Sequence, residues 1–265
     1  MPRLELLTRR PAGRARATPL LFVHGAYCAA WIWEAKMLGW FAEHGWAAHA
    51  VSLRGHGGSA GRDRIRWHTL GDYVDDVVET FDGFDTPPVL IGHSMGGMVV
   101  QRALRRRRAP AAVLMASAPP HGLWETSVGL AFRDPYVFQQ MALLTTLGER
   151  HVDPEGIRRA MFSDRMPAAE ARRYEPYLQE ESQAVVLEMH GWNPFPPLPP
   201  RDIPMLVLGA GKDLLVPPDQ VHATARMLRT DAVIVPEMGH TMMLEPGWDG
   251  VAGRIAAWLE ERLPA

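Results

Sequence analysis

The sequence predicts an α/β fold with a mostly parallel central sheet flanked by helices. Two features predict this class: short apolar runs without period-two alternation, typical of strands buried on both faces, and longer helical stretches between them. Strand and helix alternate along most of the chain, which favours parallel strands joined by helical crossovers. At 265 residues, 47% of them hydrophobic and 22% charged, the chain has enough apolar side chains for a sizeable core.

Six apolar runs are the predicted strands. In chain order they cover residues 19–25, 47–53, 87–93, 111–117, 203–211 and 231–237. The predicted helices between and after them cover residues 31–45, 69–83, 96–108, 218–230 and 247–263. Residues 3–10, "RLELLTRR", offer one further strand before Leu20.

One long segment, residues 118–202, interrupts the alternation. Its length of about 85 residues is too great for a plain crossover. It contains several helix-like pieces and closes with the proline-rich stretch "NPFPPLPP". We therefore predict an α/β core of residues 1–117 and 203–265, and an inserted helical cap, or lid, of residues 118–202.

The bulk properties of the chain exclude several partner classes. A net charge of −2 argues against nucleic acid and anionic membranes. The single cysteine, Cys28, excludes an intramolecular disulfide and fits a reducing compartment. No apolar run approaches the roughly 18 residues of a membrane span, and the first residues lack the apolar segment of a signal peptide. We expect a cytoplasmic monomer or homodimer with no membrane span.

The stretch "VLIGHSMGGMVV", residues 89–100, places a lone serine, Ser94, between a predicted strand and a predicted helix. A strand that turns at once into a helix leaves almost no room at the bend. The positions two before and two after the corner must then be nearly free of side chain, and Gly92 and Gly96 occupy them. Such a turn exposes the serine hydroxyl above the sheet, as in a nucleophile elbow. The alternative is a glycine-rich turn in which serine caps the helix.

A nucleophilic serine needs a base and an acid that orients the base. An imidazole with a pKa near 6.5 can take and return the proton, and a carboxylate holds its tautomer. In a parallel sheet both should follow the carboxyl ends of strands. Asp213 follows the fifth predicted strand and His240 follows the sixth, which gives the order Ser94, Asp213, His240 expected for an elbow enzyme. Asp219 and Glu237 are the rival acids. The alternative to the triad is a structural salt bridge at Asp213 or a solvent-exposed histidine at position 240.

The oxyanion of an acyl-transfer transition state needs backbone donors. Met95, directly after the serine, should supply one N–H group. Ala26 should supply the other from the loop after the first long apolar run, where Gly25 permits an unusual turn. His24, at the end of that run, fits a residue that braces the loop better than a catalytic base.

Aromatic residues near the predicted oxyanion loop and the edges of the cap could line an apolar substrate pocket. Core packing beneath the cap is the alternative for each of them. The candidates are Tyr27, Trp31, Trp33, His121, Trp124 and Trp192.

Five motifs in order, "LLFVHGAYCAAWIW", "VSLRGHGGS", "IGHSMGG", "GAGKD" and "PEMGHTMMLEP", resemble the α/β-hydrolase superfamily. The first resembles the branch of plant methylesterases, hydroxynitrile lyases and bacterial lysophospholipase-like esterases, and "LRGHGGS" resembles the bacterial members. The resemblance implies the α/β-hydrolase fold with a variable cap, and it assigns the triad to Ser94, Asp213 and His240. It assigns the oxyanion donors to Ala26 and Met95. The short region before Leu20 departs from the family, so we expect a reduced opening hairpin.

The residue at the elbow narrows the expected chemistry. Haloalkane dehalogenases and epoxide hydrolases of this fold carry aspartate there, whereas Ser94 favours acyl transfer. We expect a serine-dependent hydrolase that cleaves a carboxylic ester, thioester or lactone of a small-molecule acyl substrate through an acyl-serine, without cofactor or metal. The alternatives are a lyase or C–C-bond hydrolase with the same triad, and a non-catalytic small-molecule receptor.

Overall fold

A computed structural model describes residues 3–263 and contains one seven-stranded sheet. The strands are β1 Glu5–Arg9, β2 Leu20–Val23, β3 Ala48–Ser52, β4 Val89–His93, β5 Ala112–Met115, β6 Met205–Ala210 and β7 Ala232–Val235. Their order in the sheet is β1-β3-β2-β4-β5-β6-β7. Strand β1 runs antiparallel to β3, and all other neighbours are parallel. The six predicted strands and the single strand before Leu20 are confirmed.

The helices occupy the stretches between the strands. They are α1 Trp31–Glu34, α2 Met37–Glu43, α3 Leu70–Asp82, α4 Met95–Ala103, α5 Trp124–Arg133, α6 Pro135–Leu147, α7 Pro154–Met161, α8 Ala168–Ala171, α9 Gln183–His190, α10 Pro218–Leu228 and α11 Trp248–Glu260. The predicted helix 31–45 is two helices, because Lys36 leaves the helical conformation with φ −147° and ψ −50°. The predicted helix 96–108 ends earlier, at Ala103.

The central strands are buried on both faces, which explains their continuous apolar runs. Every residue of β2, β4 and β5 is buried. Leu20 and Phe22 point into one apolar core, and Leu21 and Val23 point into the other. Burial on both faces therefore fixes the core strands. The side chains available for a functional site lie on the loops at the carboxyl ends of these strands.

Helices α5 to α9 all lie between β5 and β6, in the segment predicted to be helical. Two small apolar clusters hold this insertion against the rest of the chain. One packs Leu130 and Val137 against Leu215, and the other packs Leu144 and Ile157 against Tyr27. The insertion thus contacts the loops that follow β6 and β2. The division of the chain into core and cap domains stays a prediction.

Membrane insertion has no candidate segment in the part of the chain that the structure describes. None of the helices within residues 3–263 combines the length and the apolarity that a bilayer crossing requires. The expected cytoplasmic location and oligomeric state stay predictions.

Candidate active site

Ser94 lies at the corner between β4 and α4. Its backbone has φ 52° and ψ −120°, a strained combination for a residue with a side chain. A Cβ atom on Gly92 would lie 2.5 Å from the carbonyl oxygen of Gly96, and a Cβ atom on Gly96 would lie 2.5 Å from the carbonyl oxygen of Val23. The prediction that both positions must be free of side chain is confirmed, and the strand-to-helix corner has the shape of an elbow.

His240 and Asp213 form a buried pair beside this corner. Both residues are no more than 5% exposed, and His240 Nδ1 lies 2.8 Å from Asp213 Oδ2. A carboxylate can only accept, so Nδ1 carries the proton and Nε2 is left as the acceptor of the ring. Asp213 Oδ1 accepts the amides of Leu215 and Val216 at 2.8 and 2.9 Å. The carboxylate is held from one side and orients the imidazole from the other.

The two rival acids lie elsewhere. Glu237 forms a long, exposed ion pair with Lys212 at 3.8 Å. Asp219 lies in the first turn of α10, where its carboxylate accepts the side-chain amide of Gln220. The structure therefore pairs His240 with Asp213 and with neither rival.

Two backbone amides near Ser94 remain available as donors. Within residues 3–263, neither the amide of Ala26 nor that of Met95 donates a hydrogen bond to protein. Met95 begins α4, so its N–H is one of those that a helix leaves unpaired at its N-terminus. The Gly25 carbonyl, on the same peptide as the Ala26 N–H, accepts from His24 Nδ1 at 2.8 Å. Because the peptide is planar and trans, this bond also fixes the direction of the Ala26 N–H.

His24 braces the loop as the sequence indicates. Its Nε2 accepts the amide of Leu53 at 3.0 Å, so the proton of the neutral ring is on Nδ1, where the Gly25 carbonyl accepts it. Burial lowers the pKa of His24 to about 3, which keeps the ring neutral. A neutral ring bound at both nitrogens has no free site for general-base chemistry.

His93, the residue before the serine, was missed by the sequence analysis. Its Nε2 donates to the carbonyl oxygen of His240 at 3.0 Å, and the two rings lie 4.7 Å apart. Burial holds the pKa of His93 well below its ordinary value, so the ring is neutral. His93 is the variable residue before the serine in G-x-S-x-G, and it connects the elbow to the loop that carries His240. Its place in that motif is the sequence signal that could have indicated this contact.

A cavity of about 410 Å³ lies beside the elbow and the histidine loop, and both Ser94 and His240 line it. Its apolar wall comes mainly from the insertion, including Leu130, Met141, Leu144, Ile157, Met161 and Met189. Among the described residues, no aspartate, glutamate, lysine or arginine lines it. Burial raises the pKa of Tyr27 and of Cys28 to about 12, so these two lining groups are neutral as well. The cavity suits an uncharged apolar group.

Of the six aromatic candidates for the pocket, the structure brings Tyr27 to the cavity wall. The expectation is wrong for Trp31 and Trp33. Trp33 is fully buried in the core, where its ring lies 4.9 Å from that of Phe22. Trp31 packs 5.3 Å from the ring of Tyr177, away from the cavity. Both belong to α1, which directs their side chains into packing rather than into the site.

The expectation is also wrong for His121, Trp124 and Trp192. His121 and Trp192 border a separate surface depression, and the His121 ring contacts the side-chain oxygen of Gln220 at 3.2 Å. Trp124 begins α5 with 58% of its surface exposed. The apolar residues of α6 and α7 occupy the place that the sequence analysis gave to aromatic residues. Their helical spacing alone does not distinguish a cavity wall from core packing.

A buried carboxylate, Glu245, ties the histidine loop to the insertion. It accepts the amide of Gly239 at 3.1 Å and the hydroxyl of Ser163 at 2.8 Å, as well as the amide of Ser163. Since Gly239 directly precedes His240, this carboxylate fixes the loop that carries the base. Glu245 lies five residues after His240, and no sequence pattern marks a glutamate at that position as part of the site.

We expect Glu245→Gln to lower the free energy of unfolding by about 1–2 kcal/mol, because a glutamine oxygen at the Oε1 position accepts the amides of Gly239 and Ser163 without the negative charge that strengthens both hydrogen bonds. Urea denaturation followed by circular dichroism measures the change. The control is Glu237→Gln in the same loop, an exposed carboxylate whose removal should change stability by less than about 0.5 kcal/mol. Equal stability of the two variants would contradict the assigned role of Glu245.

The chain belongs to the alpha/beta hydrolase family, whose model matches residues 20–254. Its sheet, elbow and helical layers are those of an α/β-hydrolase fold. No curated protein matches the sequence significantly. Similarity to plant methylesterases and hydroxynitrile lyases in particular stays a prediction.

Solved structures with this fold cover nearly the whole chain. An esterase from Thermogutta terrifontis, with malate bound, is 21% identical with a TM-score of 0.72, over 98% of this chain and 94% of the other. BpoC from Mycobacterium tuberculosis H37Rv, provisionally assigned as a non-heme bromoperoxidase, is 18% identical with a TM-score of 0.78, over 99% and 97%. An esterase from Exiguobacterium antarcticum is 14% identical with a TM-score of 0.72, over 98% and 96%. At these identities the likeness shows the fold.

Proposed function

We propose that the protein is a serine hydrolase of the carboxylesterase type, with Ser94, His240 and Asp213 as its catalytic triad. The observation that carries the proposal is that Ser94 and His240 line one apolar cavity while Asp213 holds His240 Nδ1. An imidazole bound in this way can accept a proton at Nε2, which is the requirement for activating a serine. The esterase names of two similar structures support the proposal by analogy of fold.

The proposed reaction has two acyl-transfer steps. Ser94 Oγ attacks the carbonyl carbon of the substrate and gives its proton to His240 Nε2. The Ala26 and Met95 amides donate to the oxyanion, and His240 returns the proton to the leaving alcohol, thiol or ring oxygen. Water then attacks the acyl-serine as His240 takes its proton. The carboxylic acid leaves, and that proton passes to Ser94 Oγ.

The cavity supports a neutral, apolar acyl group of small to medium size. Its volume of about 410 Å³ lies toward the lower end of the range for small-molecule sites. Two of the side-chain hydroxyls that line it are bound to protein: Thr145 donates to Met141 O at 2.9 Å, and Thr241 donates to Met161 O at 2.9 Å. We propose esters, thioesters or lactones of such acyl groups as substrates.

The alternative chemistries receive less support from the site. A hydroxynitrile-lyase reaction would require an additional cation near the cleft. Neither lysine of the chain lines the cavity: Lys212 faces Glu237 at the surface, and Lys36 donates to Leu244 O at 3.1 Å. A C–C-bond hydrolase or a receptor with the same triad would be indicated by a folded protein that turns over no ester.

We expect the protein to hydrolyse p-nitrophenyl esters of short and medium acyl chains and to lose activity toward palmitate. Ser94→Ala should lower kcat at least about a thousandfold, because the nucleophile is removed while the fold is kept. Initial rates from acetate to palmitate measure both effects, and a fluorophosphonate probe should label the wild type but not the variant. A folded wild type that turns over no ester and takes no label would contradict the proposal and favour the alternatives.

A further inference from the structure

The loop after β2 contains a strained residue next to the proposed oxyanion donor. Tyr27, directly after Ala26, has φ 62°, a left-handed conformation that is unfavourable for a bulky side chain. A conformation of this kind persists only where the surrounding structure imposes it. The contacts of Tyr27 therefore show which part of the chain fixes the loop.

All three polar groups of Tyr27 are bound by the insertion. Its backbone N–H donates to Glu181 Oε2 at 3.3 Å, and its carbonyl oxygen accepts the amide of Gln179 at 2.9 Å. Its hydroxyl lies 3.0 Å from Thr145 Oγ1 on α6. The insertion thus binds both the N–H and the carbonyl group of Tyr27 through residues 179–181, just before α9.

Glu181 is itself held tightly, by its neighbour Ser182 and by two side chains outside the insertion. Its side chain is fully buried, and Oε1 accepts the hydroxyl of Tyr73 and the amide of Ser182, each at 2.7 Å. His56 Nε2 lies 3.3 Å from Oε2. Burial alone would raise the pKa of Glu181, but the His56 ring and these hydrogen bonds outweigh it and hold the pKa below its ordinary value. The carboxylate is ionised and has little freedom to move.

We propose that Glu181 is a positioning residue for the oxyanion hole. It fixes the Ala26–Tyr27 peptide, while His24 fixes the Gly25–Ala26 peptide, so that the Ala26 N–H is held from both sides. Preorganised donors contribute to catalysis because they need no reorientation when charge develops. The insertion then completes the catalytic apparatus as well as covering the cavity. This inference rests on the proposed serine hydrolase function.

The test compares Glu181→Gln with Tyr73→Phe. A glutamine has one acceptor oxygen, so if that oxygen keeps the bonds from Tyr73 and Ser182, its amide nitrogen faces the Tyr27 N–H. Tyr73→Phe removes one bond to the same carboxylate without altering the oxygen that Tyr27 uses. The two variants should lose thermal stability to a similar degree. Only Glu181→Gln should lower kcat on p-nitrophenyl butyrate, by about 10- to 100-fold, with KM within about twofold of wild type.

A second readout separates positioning from stability. A trifluoromethyl ketone forms a tetrahedral adduct whose oxyanion needs the same donors, so its Ki should rise in Glu181→Gln by the factor that kcat falls. Unchanged kcat and Ki in a folded Glu181→Gln, or equal losses in Tyr73→Phe, would overturn the proposal. If Glu181→Gln does not fold, Glu181→Asp, which withdraws the carboxylate by one methylene, gives the same comparison. A wild type without esterase activity or fluorophosphonate labelling would instead overturn the proposed function, and this inference with it.

Discussion

Asp213→Asn is expected to lower kcat by about ten-thousandfold while the protein stays folded and KM changes little. The reason lies in the two oxygens of the carboxylate. Oδ1 accepts the amides of Leu215 and Val216, so an asparagine keeps its oxygen there and presents its NH₂ group to His240. His240 Nδ1 must then accept, which moves the ring proton to Nε2. The imidazole in that tautomer cannot take the proton of Ser94.

Steady-state kinetics on a p-nitrophenyl ester, with circular dichroism as the check on folding, measure this effect. Asp219→Asn is the matched control, since Asp219 is an exposed carboxylate in the first turn of α10 and contacts Gln220 rather than His240. It should retain wild-type kcat within about twofold. If Asp213→Asn kept a tenth of the wild-type kcat, Asp213 would not be the acid of the triad.

The strands could be predicted because their burial leaves a direct mark on the sequence. Every residue of β4, for example, is buried, and the run of residues 89–92 that precedes His93 and Ser94 has no polar interruption. The helical insertion was less predictable in detail. Helix α5, "WETSVGLAFR", was not among the predicted helical pieces. Only two of its ten residues, Thr126 and Leu130, are buried, whereas the apolar Trp124 and Phe132 are exposed. Its apolar residues therefore do not mark the face that packs against the rest of the chain.

The placement of Asp213 and His240 could be predicted because parallel strands bring their carboxyl ends to one edge of the sheet. The pocket lacks such a rule. Trp31 and Trp33 are close to Ala26 in sequence, but the turn into α1 directs both away from the cavity. The contact between Glu181 and Tyr27 joins residues 154 positions apart. Its position follows from how the insertion docks, which no local pattern encodes.

Gly96→Ala is expected to destabilise the fold by about 3 kcal/mol or more and to abolish activity. The added methyl group would lie 2.5 Å from the carbonyl oxygen of Val23 and closer still to that of His24. Both are backbone atoms at the end of β2, so no side-chain rotation can relieve the contact. Either the elbow opens, or the end of β2 moves and takes the Ala26 amide with it.

Gly253→Ala in α11 is the matched control, because a Cβ atom there meets nothing within 4 Å. At a half-buried helix position with open space beside it, this change should stabilise the protein by about 0.5–1 kcal/mol. Urea denaturation of the two variants, with fluorophosphonate labelling of Ser94, measures both effects. A Gly96→Ala protein that is as stable as Gly253→Ala and still takes the label would mean that β2 and α4 do not approach as closely as the structure shows. A stable but unlabelled Gly96→Ala would instead locate the damage at the nucleophile and its oxyanion donors, because the strain would have been relieved by moving the loop that carries Ala26.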